Sequence, residues 1–147
     1  MNTIELDIVT PNGSVFHEEA AELVVVDTTD GERGFMARHT PTVAPLKIGK
    51  LHVRTTKETE YFAVSEGFVE VRPEKVTVLV QSAEHVDDID TERAKAARDR
   101  AKQLLEQSKN EDIDFKRADR ALRRAINRIE VAKFRSVSYT HLRAHET

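Results

Sequence analysis

At Asp88 the chain changes period, and that change limits what it can fold into more than any other feature. Before it, apolar and polar residues alternate. Ile4-Glu5-Leu6-Asp7-Ile8 puts three aliphatic side chains on one face of a strand and two acids on the other. Comparable runs recur at Leu23–Val26, Leu51–Val53, Tyr61–Val64, Phe68–Val71 and Val76–Val80. Turn residues separate them at Pro11-Asn12-Gly13, Asp30-Gly31 and Pro73-Glu74-Lys75. Phe68 to Val80 reads as a hairpin whose turn opens on Pro73. Many short strands with regular turns predict a sandwich or barrel and argue against a parallel α/β sheet.

Beyond Asp88 the pattern is helical. From Glu92 to Lys109 there is no glycine, proline or β-branched residue, and Ala94, Ala97, Ala101, Leu104 and Leu105 share one helical face. Ser108-Lys109-Asn110 interrupts the pattern, and acids follow. Asp114 is a good N-cap for a second helix with an apolar seam of Phe115, Ala118, Leu122, Ala125, Ile129 and Ala132. Two antiparallel helices joined by a polar link are the simplest packing. Alanine dominates the first helix's seam, so little area is buried. At about 25 cal/mol per Å² the hairpin is held marginally and is expected to be able to leave its docking site.

Charge switches at the same place. Residues 1–88 carry 8 Lys/Arg against 16 Asp/Glu, a formal −8, and residues 89–147 carry 15 against 10, a formal +5. Two parts with different partners are expected. The 147 residues suffice for one domain, or for a small domain with an appendage. The absence of cysteine excludes a disulfide framework, a thiolate metal site and a cysteine nucleophile, and suits a reducing cytoplasm. No run approaches the roughly 18 apolar residues of a membrane span, and Met1–Glu5 does not open a signal peptide, so a soluble chain is expected.

Catalytic patterns are missing too. There is no Gly-x-x-x-x-Gly-Lys-Ser/Thr loop, no Gly-x-Ser-x-Gly and no His-Glu-x-x-His, and the chain has only five glycines. A bound nucleotide would therefore be a ligand and not a substrate. His39, before Thr40-Pro41 and without a second ligand at metal spacing, reads as a structural hydrogen-bonding residue; no metal site is expected. The last eleven residues, Val137-Ser138-Tyr139-Thr140-His141-Leu142-Arg143-Ala144-His145-Glu146-Thr147, break the seam and lack a helix period. They resemble one reading frame of a transposon-based sequencing adapter, the alternative being a genuine flexible tail, and His141 and His145 are set aside.

Three stretches carry a family resemblance. The first is Gly31-Glu32-Arg33-Gly34-Phe35-Met36-Ala37-Arg38-His39-Thr40-Pro41-Thr42-Val43-Ala44-Pro45-Leu46. The second is Ser65-Glu66-Gly67-Phe68-Val69-Glu70-Val71-Arg72-Pro73 with Val76-Thr77-Val78-Leu79 after it. The third runs through Asp88-Ile89-Asp90-Thr91-Glu92-Arg93-Ala94, Asp112-Ile113-Asp114-Phe115-Lys116-Arg117-Ala118 and Ala125-Ile126-Asn127-Arg128. In this order and spacing they are similar to the epsilon subunits of bacterial F-type ATP synthases, Bacillus-like ones in particular, over about residues 3–135. One departure is visible: Met36-Ala37-Arg38 stands where the family usually has a turn such as Leu-Pro-Gly.

The resemblance implies a flattened N-terminal β-sandwich, about residues 1–87, followed by a C-terminal antiparallel two-helix hairpin, about 88–135, with 136–147 as a non-native tail. It implies a non-catalytic subunit, peripheral on the cytoplasmic face of the plasma membrane, with the gamma subunit, the c-ring and the alpha and beta catalytic-head subunits as partners. Neither nucleic acid nor direct membrane insertion belongs to that picture. Glu32 and Arg33, near a reversal allowed by Gly31 and Gly34, would touch the c-ring; they equally fit an ordinary solvated hairpin tip. Glu84, Ile89, Asp90, Arg93 and Ala94, with Arg124 and Arg128 opposite, would hold ATP as a regulatory ligand, no cofactor being required. Asp90 could instead be a plain N-cap. Arg117, Arg120, Arg124 and Arg128 form one basic stripe by their spacing, suited to phosphate, to an acidic partner or to solvent. The resemblance implies that Arg117, Arg120 and Arg124 dock on the catalytic subunits. It also implies a brake: hydrolysis stops when the hairpin extends, and ATP clamps the folded state. The alternative is a free-standing ATP-sensing or adaptor module.

Overall fold

The computed structural model describes residues 2–107 and 114–146, with only the helical backbone described over 136–146. The polar link at 108–113, and with it Asp112-Ile113 of the third motif, lies outside the described residues. The chain forms two compact units that divide between His85 and Val86.

The first unit is built of ten strands: β1 (Ile4–Thr10), β2 (Gly13–Ala21), β3 (Leu23–Thr28), β4 (Gly31–Phe35), β5 (Thr42–Leu46), β6 (Gly49–Arg54), β7 (Thr59–Val64), β8 (Gly67–Val71), β9 (Lys75–Val80) and β10 (Ala83–His85). Pairing runs β10-β7-β6-β3-β5-β8-β9-β1-β2, with β4 on the other side of β3. β6 pairs with the start of β3 and β5 only with its last residue, Thr28 opposite Leu46, so the ladder passes from one layer to the other there. The two ends of the ladder then meet across the fold: the rings of Phe16 in the end strand β2 and Phe62 in β7, next to the other end, lie 4.9 Å apart, edge to face. The expected sandwich is present. All pairings are antiparallel except β1 with β9, which is parallel.

Alternation fills the interior as the sequence pattern requires. Ile4, Leu6 and Ile8 of β1, Val24 and Val26 of β3, Leu51 and Val53 of β6, Phe62 and Val64 of β7, Val69 and Val71 of β8 and Val76, Val78 and Val80 of β9 form one buried cluster. The β8–β9 hairpin closes as read, Val71 opposite Val76, with reciprocal backbone bonds between Arg72 and Lys75.

Two readings of the Gly31 region change. It is a strand and not a loop, and only Gly31, at φ +121°, serves the reversal. There Thr28 Oγ1 donates to the Gly31 carbonyl at 2.7 Å and accepts from the Asp30 amide at 3.1 Å. Gly34 sits in β4 opposite Val25, where an added Cβ would come within 3.2 Å of the Leu23 side chain. The second reversal, at Met36-Ala37-Arg38, places Arg38 at φ 66°, the left-handed region that non-glycine residues seldom enter. Its amide is held by the Pro73 carbonyl at 2.8 Å. This is the third position of the turn where the resemblance puts glycine.

The second unit begins with one 3-10 turn, Val86–Asp88, and contains α1 (Thr91–Gln107) and α2 (Phe115–Glu146) packed against each other. Asp90 caps α1, its carboxylate accepting from the Arg93 amide at 3.1 Å, and Asp114 caps α2 through the Arg117 amide at 3.2 Å. Ala94 and Ala101 are buried on α1, and Ala118, Ala125, Val131 and Ala132 on α2. Leu104 and Phe115, expected in the seam, are exposed. Leu104 falls off the face that Ala101 and Leu105 define, and Phe115 belongs to the first, open turn of α2. The helix also runs through Glu146, beyond the end of the seam. No glycine or proline occurs between 136 and 146, so nothing there breaks a helix already under way.

Candidate functional site

The residues assigned to nucleotide binding divide between the units. Glu84 lies in β10, opposite Ala63 of β7. Ile89, Asp90, Arg93, Ala94, Arg124 and Arg128 belong to the hairpin unit. Ile89 and Ala94 are buried, at 3% and 0% exposure, so neither offers surface to a ligand in this arrangement. Arg93 and Arg124 are exposed and Arg128 is half-buried. Asp90 has one carboxylate oxygen committed to its own helix.

The register of the pair follows from a residue that the sequence reading passed over. Arg135 of α2 donates through Nη1 to the carbonyls of Val86 at 2.9 Å and Ile89 at 3.0 Å, and through Nη2 to Thr91 Oγ1 at 3.3 Å. The end of the α2 seam is therefore level with the start of α1. At 1.5 Å rise per residue, Arg128 stands about 10 Å and Arg124 about 16 Å further along the axis. The hairpin does not gather Asp90 and Arg124 at one point; a molecule touching both must be elongated. The only sequence signal for Arg135 is that it lies one turn beyond Ala132, near the seam's face.

Arg117, Arg120 and Arg124 are all exposed along α2, as a docking stripe requires. Arg123, off that stripe, pairs with Asp119 on its own helix at 3.1 Å. In the sandwich, Glu32 and Arg33 are exposed on β4 just past the reversal, and the Arg33 guanidinium lies 5.5 Å from the centre of the Phe35 ring. His39 Nδ1 bonds the Thr40 carbonyl at 2.7 Å and its ring packs edge-on against Phe35, as its structural reading anticipates.

The sandwich also displays an apolar row that the strand assignments did not single out. Pro45 of β5, Phe68 of β8, Leu79 of β9 and Val9 of β1 are successive cross-strand partners on one outer face. Phe68 is 55% and Leu79 48% exposed. Beside the row, Val43 at 67% exposure borders a shallow cavity of about 200 Å³ with Pro41, Glu70 and Arg72. Its sequence signature is a lapse of alternation: Phe68-Val69 and Val78-Leu79-Val80 are apolar on both faces.

On β1, β2 and β9 a charged cluster ties three strands together. Asp7 accepts from Lys75 at 2.7 Å and meets His17 Nδ1 at 2.5 Å, while Glu5 lies 3.7 Å from Lys75 and 3.8 Å from His17. The hydrogen bond from Lys75, then that from His17, lowers the Asp7 pKa; Asp7 in turn raises those of His17 and Lys75. Among the described residues, Glu5, Asp7 and His17 have donor atoms close enough to share a cation. The Lys75 ammonium already supplies that charge.

Family models match both units. The ATP synthase delta/epsilon chain beta-sandwich domain matches residues 3–86, and the delta/epsilon long alpha-helix domain matches 87–133. An ATP synthase epsilon chain of Macrococcus caseolyticus is 57% identical over 138 residues, covering 92% of this chain and 100% of that protein. One from Staphylococcus haemolyticus is 56% identical over 135 residues, with the same coverage. A chain of the Euglena gracilis mitochondrial ATP synthase, in a cryo-EM structure of OSCP, F1 and c-ring, matches with TM-score 0.71 at 25% identity. That match covers 82% of this chain and 76% of the other.

Proposed function

This chain belongs to the ATP synthase delta/epsilon family as a bacterial epsilon subunit of the F-type enzyme, and from that premise we propose a non-catalytic coupling and braking role. The sandwich docks on the gamma subunit and the c-ring, with Glu32 and Arg33 toward the ring, and passes rotation between them. The hairpin is a two-state element. When it extends, the Arg117, Arg120 and Arg124 stripe meets acidic segments of the alpha and beta subunits and stops hydrolysis. ATP, held by Glu84, Asp90, Arg93, Arg124 and Arg128 against Ile89 and Ala94, favours the folded pair. The complex works on the cytoplasmic face of the plasma membrane, with this chain peripheral. Among the described residues no helix is long and apolar enough to cross a membrane.

The observation that carries this reading is the seam. Among the described residues, five of the six buried side chains of α1 and α2 are those of Ala94, Ala101, Ala118, Ala125 and Ala132, each with one methyl group to bury. At about 0.8 kcal/mol per buried carbon, such an interface leaves the open arrangement within reach of a ligand's differential affinity. An exposed apolar row on the sandwich adds support, because solvent alone gives a small domain no reason to keep one. Because Ile89 and Ala94 are buried, nucleotide must either loosen the first turn of α1 or bind through the exposed arginines alone.

Calorimetry with ATP on the isolated chain, beside an Arg124→Ala, Arg128→Ala double variant, tests the regulatory part. Saturable one-to-one binding that the variant loses supports it. A folded chain that does not bind ATP reduces the stripe to a docking surface and removes ATP from the scheme.

A further inference from the structure

An antiparallel helical pair is closed covalently at its link and only by side chains at its other end. In this chain the open end is where the 3-10 turn enters α1 and where α2 passes Ala132. The buried groups nearest it are Val86 and Ile89 on the entering segment and Ala94, Val131 and Ala132 on the helices, and their apolar contacts are not directional. Arg135 makes several directional bonds across the pair there: two carbonyls and a hydroxyl, over sequence separations of 44 to 49 residues. We infer that Arg135 is a latch, and that its guanidinium sets how readily the hairpin opens.

The chemistry suits that task. The carbonyls of Val86 and Ile89 precede α1, and the planar guanidinium reaches both from one nitrogen and Thr91 from the other. A cation beside a helix N-terminus meets the unfavourable end of the helix dipole. Asp87, Asp88 and Asp90 lie on the same short segment, and their negative charge offsets that. Opening the pair breaks all three bonds together and re-exposes the carbonyls. The bonds are only partly buried, so water replaces them at modest cost. That is the behaviour of a latch and not of a permanent joint.

This inference rests on the two-state reading above, and its test separates the two. Because the chain has no cysteine, Glu92→Cys and Lys133→Cys can carry spin labels near the open end without side reactions. Distances are measured in the full chain, and hydrolysis in the assembled enzyme. Arg135→Ala should raise the long-distance population on the order of tenfold. Arg135→Lys, with the charge but not the fork, should fall between. Arg123→Ala, whose partner is on its own helix, should change nothing. If a folded Arg135→Ala chain keeps the parent's distance distribution, the latch is refuted, whatever hydrolysis does. If the pair opens and hydrolysis falls, both ideas stand. If it opens and hydrolysis is unchanged, the latch holds and the brake is wrong.

Discussion

Phe68 offers a sharp separation between what folds this chain and what it docks with. Its neighbour Val69 is fully buried in the sandwich, whereas Phe68 points outward at 55% exposure, between Pro45 and Leu79. A phenylalanine presents about 200 Å² in all, so about 110 Å² is open to a partner. At about 25 cal/mol per Å² its coverage is worth about 2–3 kcal/mol, or about thirty- to a hundredfold in affinity. Phe68→Ala should therefore weaken binding to a purified gamma–c-ring stalk by about that factor, measured by interferometry. The same change should leave the thermal midpoint of the isolated chain almost where it was, because surface truncations cost about 0.5 kcal/mol or less. Phe62→Ala is the contrasting control: with 1% exposure it should cost about 3–5 kcal/mol of folding stability. A folded Phe68→Ala chain that binds the stalk within about threefold of the parent would refute the docking face; a midpoint lowered by more than about 5 °C would show that Phe68 serves the fold after all.

Other perturbations test the fold's particular constraints. A Cβ at Gly67 would fall 1.9 Å from the Leu79 carbonyl oxygen and 2.7 Å from Val80 Cα, so Gly67→Ala should force β8 and β9 apart. A loss of about 3 kcal/mol or more is expected, seen as a fall of over about 10 °C in calorimetric midpoint. Arg38→Gly should do the opposite, relieving about 1–2 kcal/mol of left-handed strain less about 0.5–1 for glycine's freedom when unfolded, so urea titration should show a small gain. His17 faces Asp7 and Glu5 of β1 and Glu19 of its own strand, with Lys75 of β9 on the far side of Asp7. Its pKa is raised on folding, so its contribution is complete below the ordinary value of 6.5 and fades as pH climbs through the higher folded value. The midpoint difference between parent and His17→Ala should shrink as pH rises above that point. The Asp7 contribution has the reverse sign: it is present above 3.8 and lost on acidification, so Asp7→Asn should cost stability at neutral pH and little in strong acid. By sequence the apolar seam ends at Ala132, so deleting 137–147 should leave the midpoint unchanged.

How legible these features were depended on how many sides of each element are buried. β1, β6 and the β8–β9 hairpin announce themselves because one face is core and the other water, which imposes strict alternation. β2 and β4 escaped notice because they have little to bury: β4 buries only Phe35, and most of β2 is exposed. Pro45 made β5 read as loop, although proline's missing N–H leaves its carbonyl free to accept from the Thr29 amide at 3.1 Å. On the hairpin, the caps Asp90 and Asp114 were visible from local chemistry, since capping is settled within four residues. Arg135 was not, because its partners lie more than forty residues away and an arginine at a seam position looks like the seam's end. The apolar row was hidden by its own consistency with strand propensity. Phe68 and Leu79 are good strand residues, and only a strand's two faces, taken together, show that one side is more apolar than water calls for.

The parallel pairing of β1 with β9 has a consequence for the order in which the molecule is made. β1 and β2 can form a hairpin as soon as they emerge from the ribosome, but the other edge of β1 waits for Lys75–Leu79. Until some seventy further residues have been synthesised, Ile4, Leu6 and Ile8 have no finished core to enter. The sandwich is therefore sealed by a late, long-range step in which the ninth strand zips onto the first, and this slow closure exposes the nascent chain to mispairing. The helices follow in the chain and pair with each other, so their folding does not wait on that closure.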